Sequence, residues 1–167
     1  MPPLYAASVP VFDRYLGQAD GLVRRVRNTP KLLEARLQPD MFSAAEQVAT
    51  AAGFALRVSY PLAGKATPDF PALGLDPEGL RARLAFARAR LAELDPQDFT
   101  NAAARRISHR AGFAELEQDA EEFLHQFGLP NFFFHLSMAF AVLRREGAEI
   151  GKADFDGLHD YPKGFRF

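Results

Sequence analysis

Four histidines, His109, His125, His135 and His159, are the residues of this chain best suited to proton transfer or metal ligation. None forms an HxxxH pair, and HExxH, Walker and Rossmann patterns are absent. With no cysteine, disulfides, thiolate zinc sites, iron–sulfur clusters and thiol nucleophiles are excluded. His125 and His135 lie ten positions apart, roughly 280° of rotation on a helix of 3.6 residues per turn, so they share no face unless a kink realigns them. His109 and His159 fall in a short hairpin and in the tail, where a solvated side chain is the expected state.

His135 is the sharpest candidate. It stands in the most apolar stretch of the chain, Leu129-Pro130-Asn131-Phe132-Phe133-Phe134-His135-Leu136, with Asn131 one i,i+4 step before it on the same face. Two polar groups stacked on a buried helix need partners. In the structural reading Asn131 bonds backbone carbonyls freed near Pro130 and His135 bonds another helix. In the functional reading both face a pocket, where a neutral imidazole serves as base or ligand. Asp40, in the turn Pro39-Asp40-Met41-Phe42, and Gln47 and Thr50 on the following helix complete the candidate pocket lining.

Four helices must position these groups. The first spans about Ser8 to Arg27, with Ser8 as N-cap and Pro10 in the first turn; Gly17 and Gly21 suggest a close helix contact. The second starts at the capping box Ser43/Glu46 and reaches about Tyr60, with Val48, Ala51, Ala52 and Ala55 inward. A loop rich in proline and glycine leads to the third, capped by Asp76 ahead of Pro77 and closed by Asp95-Pro96. Arg105–His109 and Phe113–Leu116, joined by Arg110-Ala111-Gly112, read as a hairpin. The fourth helix runs from Asp119, boxed with Glu122, to Glu146 before Gly147, with a kink near Pro130. Its apolar residues surround it, which points to a central core helix or burial by a second subunit. The tail from Ala148 is expected to be irregular.

The chain has 167 residues, a net charge of −1 and 16 phenylalanines. This fits one domain, residues 1–155, followed by an irregular tail, residues 156–167. The near-neutral charge supplies no overall field for nucleic acid or anionic lipid, and no apolar window approaches the ~18 uninterrupted residues of a membrane span. Residues 1–17 show no cationic start followed by an apolar stretch, so a cytoplasmic protein is expected.

Three separated motifs, Pro39-Asp40-Met41-Phe42, Leu129–His135 with Leu143-Arg144, and Glu149-Ile150-Gly151-Lys152-Ala153-Asp154-Phe155, resemble a bacterial family of unknown function grouped with the DinB/YfiT-like bundles. The resemblance covers about Tyr5 to Phe155. It implies an all-α, DinB-like four-helix bundle with one crossover connection, often homodimeric. The wider group carries a metal site of three histidines, one on the second helix and an i,i+4 pair on the fourth, and some members transfer low-molecular-weight thiols. Aligned on this chain, those positions fall near Thr50 and on Asn131 and His135, leaving one imidazole of three. The expectation is therefore a bundle without cofactor or metal, forming a homodimer and binding a small molecule or partner around His135 and Asn131. The alternative, a divergent metal-dependent transferase or hydrolase, requires replacement ligands, with Asp40, Glu46 and His125 the nearest candidates.

Overall fold

The computed structural model describes residues 1–162 and 165. In chain order the elements are α1 (Pro3–Ala6), α2 (Val9–Val26), α3 (Lys31–Glu34), α4 (Ala44–Leu62) and α5 (Pro77–Ala92), two 3₁₀ turns (Pro96–Phe99 and Ala102–Ala104), and the hairpin β1 (Arg106–Ala111) and β2 (Ala114–Asp119). Then come α6 (Ala120–Glu122), a π-helical turn (Phe123–Gly128), α7 (Leu129–Arg145) and α8 (Lys152–Asp156).

The four long helices α2, α4, α5 and α7 form the bundle. Packing is closest between α4 and α7, α2 and α5, and α4 and α5, which places α2 and α7 at the two ends of this series. They close on each other through Phe12 and Phe132, edge-on at 4.8 Å, and α8 fills their seam with Phe155 against Tyr15 and Phe140. Consecutive long helices are thus not all neighbours, and the path is not a simple up-and-down one. Phe12, Phe99, Phe123 and Phe132 are the largest fully buried side chains.

Several local expectations hold for the reasons given. Ser43 accepts from the Glu46 amide while the Glu46 carboxylate accepts from the Ser43 amide, and Asp76 accepts from Gly79. Leu80, Leu84, Ala87, Leu91 and Leu94 are buried along and just beyond α5. Gly147, at φ +92°, lies beyond the end of α7.

Others are corrected. Ser8 does not cap α2, because its hydroxyl donates back to the Leu4 carbonyl at 2.5 Å, closing α1. Asp119 makes no side-chain cap; Arg106 Nη1 holds its carboxylate at 2.8 Å across the hairpin. The strands are longer than expected, and Ala111 pairs with Ala114, so the turn is Gly112-Phe113, with Gly112 at φ +61°. Helix α4 runs through Pro61 to Leu62.

Pro130 produces no simple kink. The π-helical turn Phe123–Gly128 precedes it in one continuous helical run, so the interruption at Pro130 is taken up by a π-turn. The close helix approach also lies elsewhere than expected. A Cβ at Gly21 would meet nothing within 4 Å, and one at Gly17 only ordinary contact with Arg88, whereas one at Gly128 would stand 2.8 Å from Val58 Cγ1. The tail is not wholly irregular, since α8 forms at its start.

By length and composition the helical run Ala120–Arg145 is apolar enough to cross a membrane, although no window of it is uninterruptedly apolar over that length. In the fold α4 is the more deeply buried helix, and one stripe of this run, Phe132, Leu136, Ala139, Val142 and Leu143, is buried in the bundle. Its apolar residues do surround it, but the opposite side stays partly exposed, ending in Phe134 at 51%.

Candidate functional site

His135 lies half-buried on α7, and its nearest polar neighbour is Gln47 of α4, which is only 2% exposed. Capping fixes where Gln47 points. Ser43 starts α4, so Gln47 comes one turn in, on the buried face with Val48 and Ala51. The Nδ1–H of His135 donates to Gln47 Oε1 at 2.6 Å. With the Gln47 amide oxygen as acceptor, Nδ1 carries the proton and Nε2 keeps its lone pair. Nε2 bonds to no described residue. Burial pushes the His135 pKa down, so the ring stays neutral at pH 7.

The ring sits among aromatics. Phe42 stacks on it with centroids 6.1 Å apart, Phe54 stacks at 5.5 Å, and Phe134 meets it edge-on at 5.3 Å. Phe54 follows Gln47 by seven residues, two helical turns along the same face. The aromatic line continues from Phe54 to Phe127 at 5.6 Å and from Phe127 to His109 at 4.2 Å. Arg57 lies over Phe54 at 4.9 Å and donates to the Arg110 carbonyl, tying β1 to α4 beside the site.

Phe42 is held in place by a built loop. Arg36 donates to the Met41 carbonyl at 2.6 Å and pairs with Glu46 at 2.8 Å, while Arg36 and Ser43 form a β-bridge. From the end of α7, Arg145 donates to the carbonyls of Arg36 and Leu37. Bonds from Ser43 and then from Arg36 hold the Glu46 carboxyl below its ordinary pKa.

Of the residues singled out in the sequence, the structure joins Gln47 to His135. Asn131 lies one turn away, but its Nδ2 donates to the Phe127 carbonyl at 2.7 Å, the backbone role expected beside a proline. Thr50 donates to the Glu46 carbonyl at 2.7 Å. Asp40 is exposed in the turn closed by the Met41 amide on Gln38, and His125 is exposed on the π-helical turn. A cavity of about 610 Å³ beside this loop is lined by Glu34, Arg36, Leu37, Gln38, Pro39 and Arg145, without His135.

Of the two histidines expected to be solvated, His109 is packed inside and His159, although its side chain is 40% exposed, is tied to a carboxylate. His109 packs on Phe123 and Phe127 and bonds Gln118 at 2.8 Å, because the strand alternation turns it inward with Ile107. His159 bonds Asp156 at 2.5 Å, and Asp156 also accepts from the amides of Leu158 and His159, which holds its pKa down to about 2. Sequence reasoning missed Phe42 and Phe54 as neighbours of His135. Their signals were the motif position of Phe42 and the i,i+7 spacing of Phe54. Nothing local in the sequence shows Arg145 reaching Arg36.

The metal implied by the resemblance does not fit the donors present. Among the described residues no three His, Asp or Glu side chains converge, and the matching positions offer one imidazole, an amide and a hydroxyl. Zinc and nickel sites are built from imidazole, thiolate or carboxylate. The site can instead accept a proton or a hydrogen bond at Nε2 and stack a planar group.

Among solved structures the chain is similar to the crystal structure of a DinB family member from Shewanella denitrificans, at 28% identity over 95% of this chain and 94% of that one, with a TM-score of 0.83. No curated protein matches it. The fold is thus a DinB-like helical bundle, which here carries a two-stranded hairpin. Residues 4–156 match the model of the domain of unknown function DUF1993, and the chain belongs to that family.

Proposed function

We propose that this protein binds a small planar molecule on the aromatic face at His135, without a metal, and holds it by a hydrogen bond donated to His135 Nε2. The observation that carries this reading is the Nδ1–H bond to Gln47, which leaves a neutral acceptor fixed in direction between aromatic rings. A buried amide partner orients an imidazole without supplying the charge that a carboxylate partner gives a catalytic base. The reading is therefore binding rather than catalysis, with a cytoplasmic location as part of the proposal.

The test is a titration with phenol and with toluene, followed by the imidazole ¹⁵N shifts of His135. Phenol should shift Nε2 saturably and toluene should not. Shifts spread over the surface without Nε2 moving would refute it. A second reading, a homodimer closing over this face, is favoured by Phe42 and Phe134, 48% and 51% exposed beside His135. Light scattering on the native chain and on Phe134→Glu separates the two: a dimer lost in the variant supports it, and a native monomer sinks it.

A further inference from the structure

The motif Glu149–Phe155 and Arg144 take no part in the His135 face, yet they build a cavity of their own. Ser137, Phe140 and Arg144 of α7 and Gly151, Lys152 and Phe155 around α8 line an open groove of about 370 Å³, within the size range of small-molecule pockets. Its walls are mainly the rings of Phe140 and Phe155, set edge-to-face at 5.7 Å. Among the described residues its only charges are the cations of Arg144 and Lys152, and no carboxylate lines it. Of the two acids flanking Phe155, Asp154 is committed to Arg25 at 2.9 Å and to the Gly151 amide at 2.8 Å, and Asp156 to His159 and the Leu158 amide. Arg144 uses Nη1 on the Ile150 carbonyl but pairs with no described carboxylate, and the Lys152 ammonium bonds to no described residue. The Ser137 hydroxyl is likewise unengaged by any described residue.

From this we infer a second ligand site, which takes an aromatic carboxylate: the ring laid against Phe140 and Phe155, the carboxylate toward Lys152 and the free guanidinium edge of Arg144. Two unpaired cations above an apolar floor complement an amphipathic anion and disfavour a neutral molecule of the same shape. Gly151 supplies the means to test it. Its φ of −136° suits any residue, and a Cβ there meets nothing within 4 Å, so a larger side chain fits the backbone and occupies the opening.

The experiment is calorimetric titration with 2-naphthoate and 2-naphthylmethanol on the native chain, Lys152→Glu and Gly151→Leu, with the melting temperature of each variant recorded. The native chain should bind naphthoate saturably and at least about tenfold more tightly than the alcohol, a difference of one charge-assisted contact. Lys152→Glu should erase that preference, and Gly151→Leu should abolish binding with its melting temperature kept. Lys152 is changed rather than Arg144, because Arg144 ties the Ile150 carbonyl. Equal affinity for acid and alcohol, naphthoate binding unaltered by Gly151→Leu, or no saturable binding to the native chain would each overturn the inference. None of these outcomes bears on His135, which lies outside this cavity.

Discussion

Replacing Gln47 and His135 by leucine, singly and together, tests whether their bond organises the site. In His135→Leu the Gln47 oxygen, at 2% exposure, loses its only described donor, and an unsatisfied buried acceptor costs about 1–3 kcal/mol. The loss of stacking on Phe42 and Phe54 adds about 0.5–1.5 kcal/mol per ring pair, partly offset by the leucine's own apolar contacts. In Gln47→Leu the stranded group is the Nδ1–H of a half-buried ring, which places the cost toward the low end of that range. The double variant strands neither partner, and exchanging both members of a polar pair for apolar groups can be nearly neutral. It should therefore be less destabilised than the sum of the singles, by about 1–2 kcal/mol of coupling. Urea unfolding gives the four free energies, and each kcal/mol appears as about 2–4 °C of melting temperature for a chain of this length. Additive single effects would refute the bond as an organising interaction, and with it the assigned tautomer.

Gly128→Ala should destabilise by about 1–3 kcal/mol, since the added methyl meets Val58 at 2.8 Å in a buried seam; Val58→Ala added to it should recover much of the loss, as thermal melts would show. Because burial lowers the His135 pKa below its ordinary 6.5, the unfolded chain takes up that proton first as the solution is acidified. The contribution is complete above about pH 6.5 and declines below it until the folded ring also protonates, so the stability advantage of the native chain over His135→Gln should shrink between about pH 7 and 5 in urea titrations; a constant difference would contradict the shift. Calorimetric titration with zinc or nickel should show no stoichiometric, sub-micromolar site in the native chain, and finding one would revive the transferase alternative.

Elements written in local chemistry were legible in the sequence. The capping box at Ser43/Glu46, the Asp76-Pro77 start, the buried stripe of α5 and the Gly147 stop each depend on residues within one or two turns. Ser8 and Asp119 mislead because each has a stronger partner than the cap position offers: the Leu4 carbonyl for one, the Arg106 guanidinium for the other. The π-helical turn escapes because Pro130 alone signals a break, while the extra residue per turn is set by packing of Phe123, Leu124 and Gly128 against the bundle. At the site, the i,i+4 step from Asn131 to His135 was visible, but opposite roles for the two were not. One side chain closes on its own backbone, and the other crosses to a residue 88 positions away.

That long reach gives the separated motifs a common physical logic. The turn Pro39–Phe42 has little hold on its own, being an exposed loop, yet three arginine bonds fix it: Arg36 on Met41 from within, and Arg145 on Arg36 and Leu37 from the end of α7. Since α7 also carries His135, one helix positions both the imidazole and the loop that lays Phe42 over it. The ring geometry at His135 thus depends on the register of α7 against α4, and that register is set where Gly128 lets the helices approach at Val58. A change at Gly128, although remote from Phe42, should therefore disturb the His135 ¹⁵N shifts as well as the melting temperature. A change at Arg145 should release Phe42 while leaving the Gln47 bond in place. The two variants would separate the contribution of helix register from that of the loop, and identical shift changes in both would show that no such division exists.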